Sequence, residues 1–230
     1  MIKTEQMGKL VEAVDERGTS VDSELGLNPF LKDALNELGN IASCHALTAL
    51  AELTGATIEI DVPRVEVVSI GEVGKLIEME KIVAGDFVKL EGGFSGYLQV
   101  LFPEKSAFLL VDALLCKKPG ETKGIETEMD ESALIEAGNI LASSFCDAVA
   151  DLLQFTLMPT PPSFAFDMAG ALVETAIIAV AQTQGTEHII LCTCDFPEDK
   201  NDIYGYILLF PHPNSLKDLL SRLEEQVAAV

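Results

Sequence analysis

The 230-residue chain predicts an α+β domain: a mainly antiparallel sheet, helices packed on it, and a pseudo-twofold axis. Three observations carry this. First, Asp33-x3-Glu37-x2-Asn40 returns as Ser132-x3-Glu136-x2-Asn139 at a constant offset of 99, and each copy is followed after the same 22-residue gap by a proline, Pro63 and Pro162. Second, the order of helical and extended patterns restarts with the second copy. Third, helices and strands mix without the strict alternation of a parallel sheet. Two copies are too few for a solenoid, so they are read as two halves of one domain. The halves span about 29–127 and 128–226, preceded by a polar extension over 1–28.

Within the extension, at best a short helix forms over 6–15. Asn28 suits a helix N-cap and Pro29 the first turn. Leu31, Ala34, Leu35, Leu38, Ile41, Ala42, Leu47, Leu50 and Leu53 then fill one broad face, and Gly55 ends the helix. Extended runs are predicted over 57–60, 64–69, 76–83, 87–90 and 96–102, then a helix over 104–115. The second half predicts a helix over 132–153, strands over 155–159, 171–182, 188–195 and 204–210, and a closing helix over 213–225. Gly205-Tyr206-Ile207 echoes Gly96-Tyr97-Leu98 at an offset of 109, so the second copy has gained about ten residues among its strands.

Composition narrows the function classes. Hydrophobic residues make up 48% of the chain and charged ones 23%, enough apolar surface for a sizeable core. The 37 acidic residues against 15 basic ones leave a formal charge of −22. Phosphate backbones and anionic membranes are therefore poor partners. The acidity suits either a basic patch on a partner or a salty cytoplasm. No leader is expected from the charged start MIKTEQMGKLVEAVDERG, and no membrane span is predicted. Cys44, Cys116, Cys146, Cys192 and Cys194 lie in apolar contexts and read as reduced, mostly buried thiols of a cytoplasmic protein. Cys192-x-Cys194 reads as two neighbours on one strand face rather than a metal or redox pair.

Spacings of i, i+4 and i+7 put Asp33, Glu37 and Asn40 on one helical stripe, and Ser132, Glu136 and Asn139 on another. The apolar residues point elsewhere, so both stripes face solvent. One copy alone reads as a solvated helix face. Two matched copies, with polar positions held while many apolar neighbours change, read as one small site made twice. Gly39 and Gly138 sit mid-helix just before each Asn, at about 1 kcal/mol each relative to alanine. Something such as another helix or a partner is expected to approach the backbone there.

The site lacks its own nucleophile–base pair, because Asn does not titrate. Its amide can orient a water while the carboxylate meets a cation, which is the logic of phosphoryl hydrolysis completed on another molecule. There is no phosphate-cradling Gly-x-x-x-x-Gly-Lys-[Ser/Thr] loop and no Gly-x-Ser-x-Gly elbow. His45, His188 and His212 are scattered, so no metal site is predicted.

The doubled [Asp/Ser]-x3-Glu-x2-Asn-x22-Pro pattern resembles the CheC phosphatases of bacterial and archaeal chemotaxis, relatives of CheX and FliY. The resemblance covers about 29–226. It implies hydrolysis of the aspartyl phosphate of the response regulator CheY-P. On this likeness Glu37 and Glu136 would pair with a CheY lysine, and Asn40 and Asn139 would orient the attacking water. The Mg²⁺ would be CheY's own, with no cofactor on this chain. Asp33 and Ser132 match the variable first position, as partner-facing residues, and Pro63 and Pro162 shape the loop after each helix. The stretch 166–171, with Asp167, looks like the segment by which CheC proteins dock the deamidase CheD. No surface-presentation module follows Val230, which sets the expectation toward CheC rather than FliY. Two other readings remain at this level: a non-catalytic adaptor for CheY-P or CheD, and a metal-dependent hydrolase.

Overall fold

The computed structural model describes residues 21, 25–54, 64–184, 188–194 and 205–228. The expected helix over 6–15, the strand over 57–60, Gly55 and Pro63 lie outside these. In chain order the elements are α1 (Pro29–Thr54), β1 (Arg64–Ser69), a short turn of 3-10 helix (Ile70–Glu72) running into α2 (Val73–Leu76), β2 (Ile82–Gly92), β3 (Gly96–Pro103) and α3 (Glu104–Leu114). The second half gives α4 (Glu128–Leu153), β4 (Leu157–Pro159), β5 (Ser163–Met168), α5 (Ala169–Gln184), β6 (His188–Cys194), β7 (Gly205–Pro211) and α6 (Pro213–Ala228).

The strands form one antiparallel sheet in the order β1-β6-β7-β3-β2-β4, with β5 also pairing along β2. The halves therefore exchange edge strands: β1 pairs with β6 of the second half, and β4 and β5 with β2 of the first. The centre is the β3–β7 pair, in which Gln99 faces Leu208. These two residues correspond under the offset of 109, so the pseudo-twofold axis runs through this pair. The axis and the antiparallel α+β architecture agree with the sequence reading.

Strand alternation splits the apolar residues between two cores. On one face Ala84, Val88, Leu98, Val100, Ile190, Cys192, Ile207 and Leu209 pack beneath α1, α3, α4 and α6. On the other, Val83, Leu101, Ile189, Leu191, Leu208 and Phe210 pack against α2 and α5. Gln99 points to that second face and donates from Nε2 to the Leu172 carbonyl at 3.1 Å.

Both site helices have 26 residues, and both their ends correspond at the offset of 99. Asn28 caps α1 as expected, accepting at Oδ1 from the Leu31 N–H at 2.9 Å. In α1, Leu31, Leu35, Leu38, Ala42, Ala46 and Leu50 make the buried stripe. Helix α4 begins four residues before the predicted Ser132. A capping box causes this: Thr127 Oγ1 accepts from the Asp130 N–H, and Asp130 Oδ2 from the Thr127 N–H, both at 3.1 Å. Asp130 also holds Lys117 Nζ at 2.7 Å. The buried Asp112 carboxylate gathers the N–H groups of Gly120, Glu121 and Thr122 at 2.6–3.1 Å. Together these tie down the connection that aims α4. At its other end Arg222 Nη1 donates to the Leu153 carbonyl at 3.0 Å and stacks over Phe155.

Two strand expectations are corrected. The apolar run 171–182 is helix α5, whose Leu172, Val173, Ala176 and Val180 bury one face at helical spacing. Its β-branched residues imitate a strand, and packing against the sheet overrides that propensity. The predicted strands over 76–83 and 87–90 are instead α2, a turn and one long strand, β2, which runs through Gly85 and Asp86. One described helix, α4, is long and apolar enough to cross a membrane by length and composition; its apolar face lies against α1 and the sheet.

Gly39 and Gly138 are where the long helices touch the sheet. A Cβ on Gly39 would overlap the Val65 side chain, and one on Gly138 the Asp86 carboxyl. Asp86 is 1% exposed on the core face of β2, and neither oxygen finds a hydrogen-bond partner. The facing stretch of β6, its counterpart across the axis, puts Ile190 and Cys192 on this face instead. Burial pushes the Asp86 carboxyl up to about 8.

Two predictions follow from this contact layer. Gly39→Ala and Gly138→Ala each replace a helix-weakening residue, yet each overfills a tight contact, which costs about 1–3 kcal/mol. Both are expected to lower the melting temperature; a rise in either would contradict the close approach. The second concerns pH. The unfolded chain ionises Asp86 near pH 4, whereas the folded chain keeps its proton to about pH 8, so Asp86 makes stability fall across that window. Asp130, held down chiefly by the Lys117 ammonium, acts with the opposite sign: its contribution is present above about pH 4 and lost as pH drops further. Denaturant titrations at pH 5 and pH 8 are expected to show a decline that Asp86→Asn flattens. An unchanged slope in the variant would contradict the assignment to Asp86.

Candidate active site

Each site is a stripe on the solvent side of a long helix. On α1, Asp33 and Glu37 are exposed and Asn40 is half-buried; on α4, Ser132 and Glu136 are exposed and Asn139 is half-buried. Residues three apart on a helix stand about 5–6 Å apart at Cβ, so each Glu is within reach of its Asn on the same face. The same packing that buries Leu35 and Leu38 on α1, and Leu134 and Ala137 on α4, turns these polar residues outward. The α1 and α4 helices lie against one another, so the two sites share one side of the molecule.

The Asn side chains form the floor of each stripe and the Glu side chains its outer wall. The Asn40 Oδ1 atom is shielded from solvent and meets no hydrogen-bond donor. An amide oxygen in that state loses about 1–3 kcal/mol of hydration unless a donor arrives. A half-buried amide of this kind can hold a water between its donor and acceptor, and an exposed carboxylate can meet a cation brought by another molecule.

Several sequence expectations need adjustment. The glycines before each Asn receive the sheet, Val65 for Gly39 and Asp86 for Gly138, rather than another helix or a partner. Near the second stripe Asp130 is buried in its capping box and ion pair, whereas Glu128 and Glu131 are exposed on the same first turns of α4. Asp86, beneath Gly138 and so next to Asn139, went unnoticed. Its signal was an acidic residue at a core-face position of β2, between Ala84 and Val88.

Pro162 is half-buried and leads directly into β5, as Pro63 precedes β1 in the chain. Asp167 is exposed at the end of β5, where its Oδ1 accepts from the Met168 N–H at 2.7 Å. It stands on the sheet edge, apart from the two stripes. Among the described residues no three His, Cys, Asp or Glu side chains converge as a metal site would require. His45 is exposed, His188 buried and His212 half-buried against Tyr97. Of the four described thiols Cys146 and Cys192 are buried, Cys44 is half-buried and Cys116 exposed, so the expectation of mostly buried thiols holds for two. Burial pushes the Cys146 thiol up to about 12, far from reactivity.

The family model described as CheC-like matches residues 30–67 and 129–165, taking in both stripes. The CheY-P phosphatase CheC of Bacillus subtilis is 28% identical over 201 residues, 86% of this chain and 96% of that protein. Among solved structures, FliY of Thermotoga maritima shares the fold with a TM-score of 0.67 at 21% identity, over 87% of this chain and 98% of its own. A CheX–CheY complex from Borrelia burgdorferi with BeF3 and Mg²⁺ matches at a TM-score of 0.50 and 17% identity, over 77% of this chain and 97% of that one. The motif and the CheC-like family segments thus recur together in both halves, and the chain is similar to that family at each stripe.

Proposed function

We propose that this protein is a phosphatase that hydrolyses the aspartyl phosphate of CheY-P, ending the signal carried by that response regulator in the cytoplasm. The observation that carries this reading is the pair of equal-length helices, each presenting an exposed Glu and a half-buried Asn to solvent. Such a stripe is half of an active site. The phosphorylated partner supplies the rest, including its own Mg²⁺, which would neutralise charge on the phosphoryl group.

In this reading Glu37 or Glu136 pairs with the lysine beside the acyl phosphate and sets the register of docking. Asn40 or Asn139 then holds a water in line with the phosphorus. The water oxygen bonds to phosphorus as the bond to the aspartyl oxygen breaks. The products are inorganic phosphate and the free aspartate carboxylate. Asp33 and Ser132 border the docking surface. A second surface, for a CheD-type partner, would use the stretch 166–171; the exposure of Asp167 and Met168 at the end of β5 supports this.

Asn40→Ala and Asn139→Ala are each expected to silence one site, and the double variant nearly all activity, since a group acting at the transition state is worth about 10²–10³ in rate. Phosphate loss from CheY-P measures this; a double variant retaining half the rate would make both asparagines bystanders. Glu37→Ala and Glu136→Ala are expected to weaken CheY-P engagement more than the Asn changes do. Their melting temperatures should barely move, because an exposed helical Glu contributes only about 0.2–0.5 kcal/mol. A large drop in melting temperature would mean that the stripe is structural.

A further inference from the structure

Six large hydrophobic side chains are exposed among the described residues, and two of them are copies of one another. Phe30 is 72% exposed and Met129 65% exposed, and they stand at the second position of α1 and α4, related by the offset of 99. Single exposed apolar residues on a surface need no explanation. An exposed apolar residue at the same place in both halves, where a polar one would fold as well, does. The position is also informative. Phe30, Asp33, Glu37 and Asn40 follow spacings of 0, 3, 7 and 10, which keeps them within about 80° of arc on one helix face. Met129, Ser132, Glu136 and Asn139 do the same.

We infer that Phe30 and Met129 are apolar anchors at the outer end of each catalytic stripe, and that they seat in an apolar patch on the same phosphorylated receiver domain that the Glu and Asn engage. This inference rests on the phosphatase reading above and names its specificity contact. At 1.5 Å per residue the anchor stands about 15 Å along the helix from the Asn. The patch on the receiver must therefore lie about that far from its acyl phosphate, a separation well within one standard interface. The charge distribution favours an apolar contact. The chain carries −22 and the acyl phosphate is itself negative, so long-range attraction to the lysine is opposed by repulsion from the phosphate. A buried Phe or Met at the edge contributes affinity that neither charge nor salt removes.

The test uses single-site backgrounds. Phe30→Ser is placed in the Asn139→Ala protein and Met129→Ser in the Asn40→Ala protein, with Ile178→Ser as control. Ile178 is also 56% exposed but lies on α5, on the opposite face of the sheet. Each serine variant is expected to raise KM for CheY-P about tenfold, equivalent to about 1.4 kcal/mol, leave kcat and melting temperature unchanged, and keep that increment between low and high salt. The control should leave KM where it was. An unchanged KM in both variants overturns the inference, as does a fall in kcat at constant KM. A KM that drops on Phe30→Ser, and drops equally when residues 1–20 are removed, also overturns it, because the occupant is then this chain's own extension. Acceleration of CheY-P decay by the unsubstituted protein is measured first. Its absence removes the reading underneath, whereas activity with unchanged KM removes the anchors alone.

Discussion

The close seating of two long helices on one sheet determines where the rest of the molecule can go. At Gly39 and Gly138 the helix backbone comes down onto Val65 and Asp86, and no side chain larger than hydrogen fits between. Because the Asn is the next residue, about 100° further round the helix, it emerges at the flank, half in and half out. The Glu, three residues earlier, stands fully outside. The functional geometry is thus a by-product of packing depth. A helix lifted by one methyl group would carry its Asn away from the floor of the stripe.

The duplication makes this arrangement twice and then departs from it. The strand swap puts β1 and β5 into each other's halves, so neither site helix is supported by its own half alone. Under α1 the support is an apolar valine; under α4 it is a buried carboxyl without a partner, where the counterpart strand has Ile190 and Cys192. A carboxyl at that position destabilises the fold as soon as it ionises. The second helix is held at its ends by the Thr127–Asp130 box, the Lys117 pair and Arg222. The two sites therefore share a motif but rest on different physics.

Much of this was legible in the chain. The offset of 99 marked out the two long helices, whose ends correspond at that same spacing. Asn28 gave away the start of α1 by its capping chemistry. The misses have equally local causes. Helix α5 was hidden by Val173, Thr175, Ile177 and Ile178, whose branched side chains favour strands until a sheet face is there to cover. The early start of α4 was written in Thr127-x-x-Asp130, a capping box with Asp in place of the usual Glu. Asp86 could not be placed, because its contact with Gly138 spans 52 residues and no local pattern encodes it.

The central claim is that this chain owns half of an active site and completes it on a phosphorylated partner. The most direct measurement compares, at equal protein concentration, phosphate release from CheY-P with phosphate release from a small aryl phosphate in the absence of CheY. The account predicts rapid loss from CheY-P and no turnover of the small ester. Comparable hydrolysis of the aryl phosphate would mean that the chain holds a complete phosphate site of its own, and would contradict it.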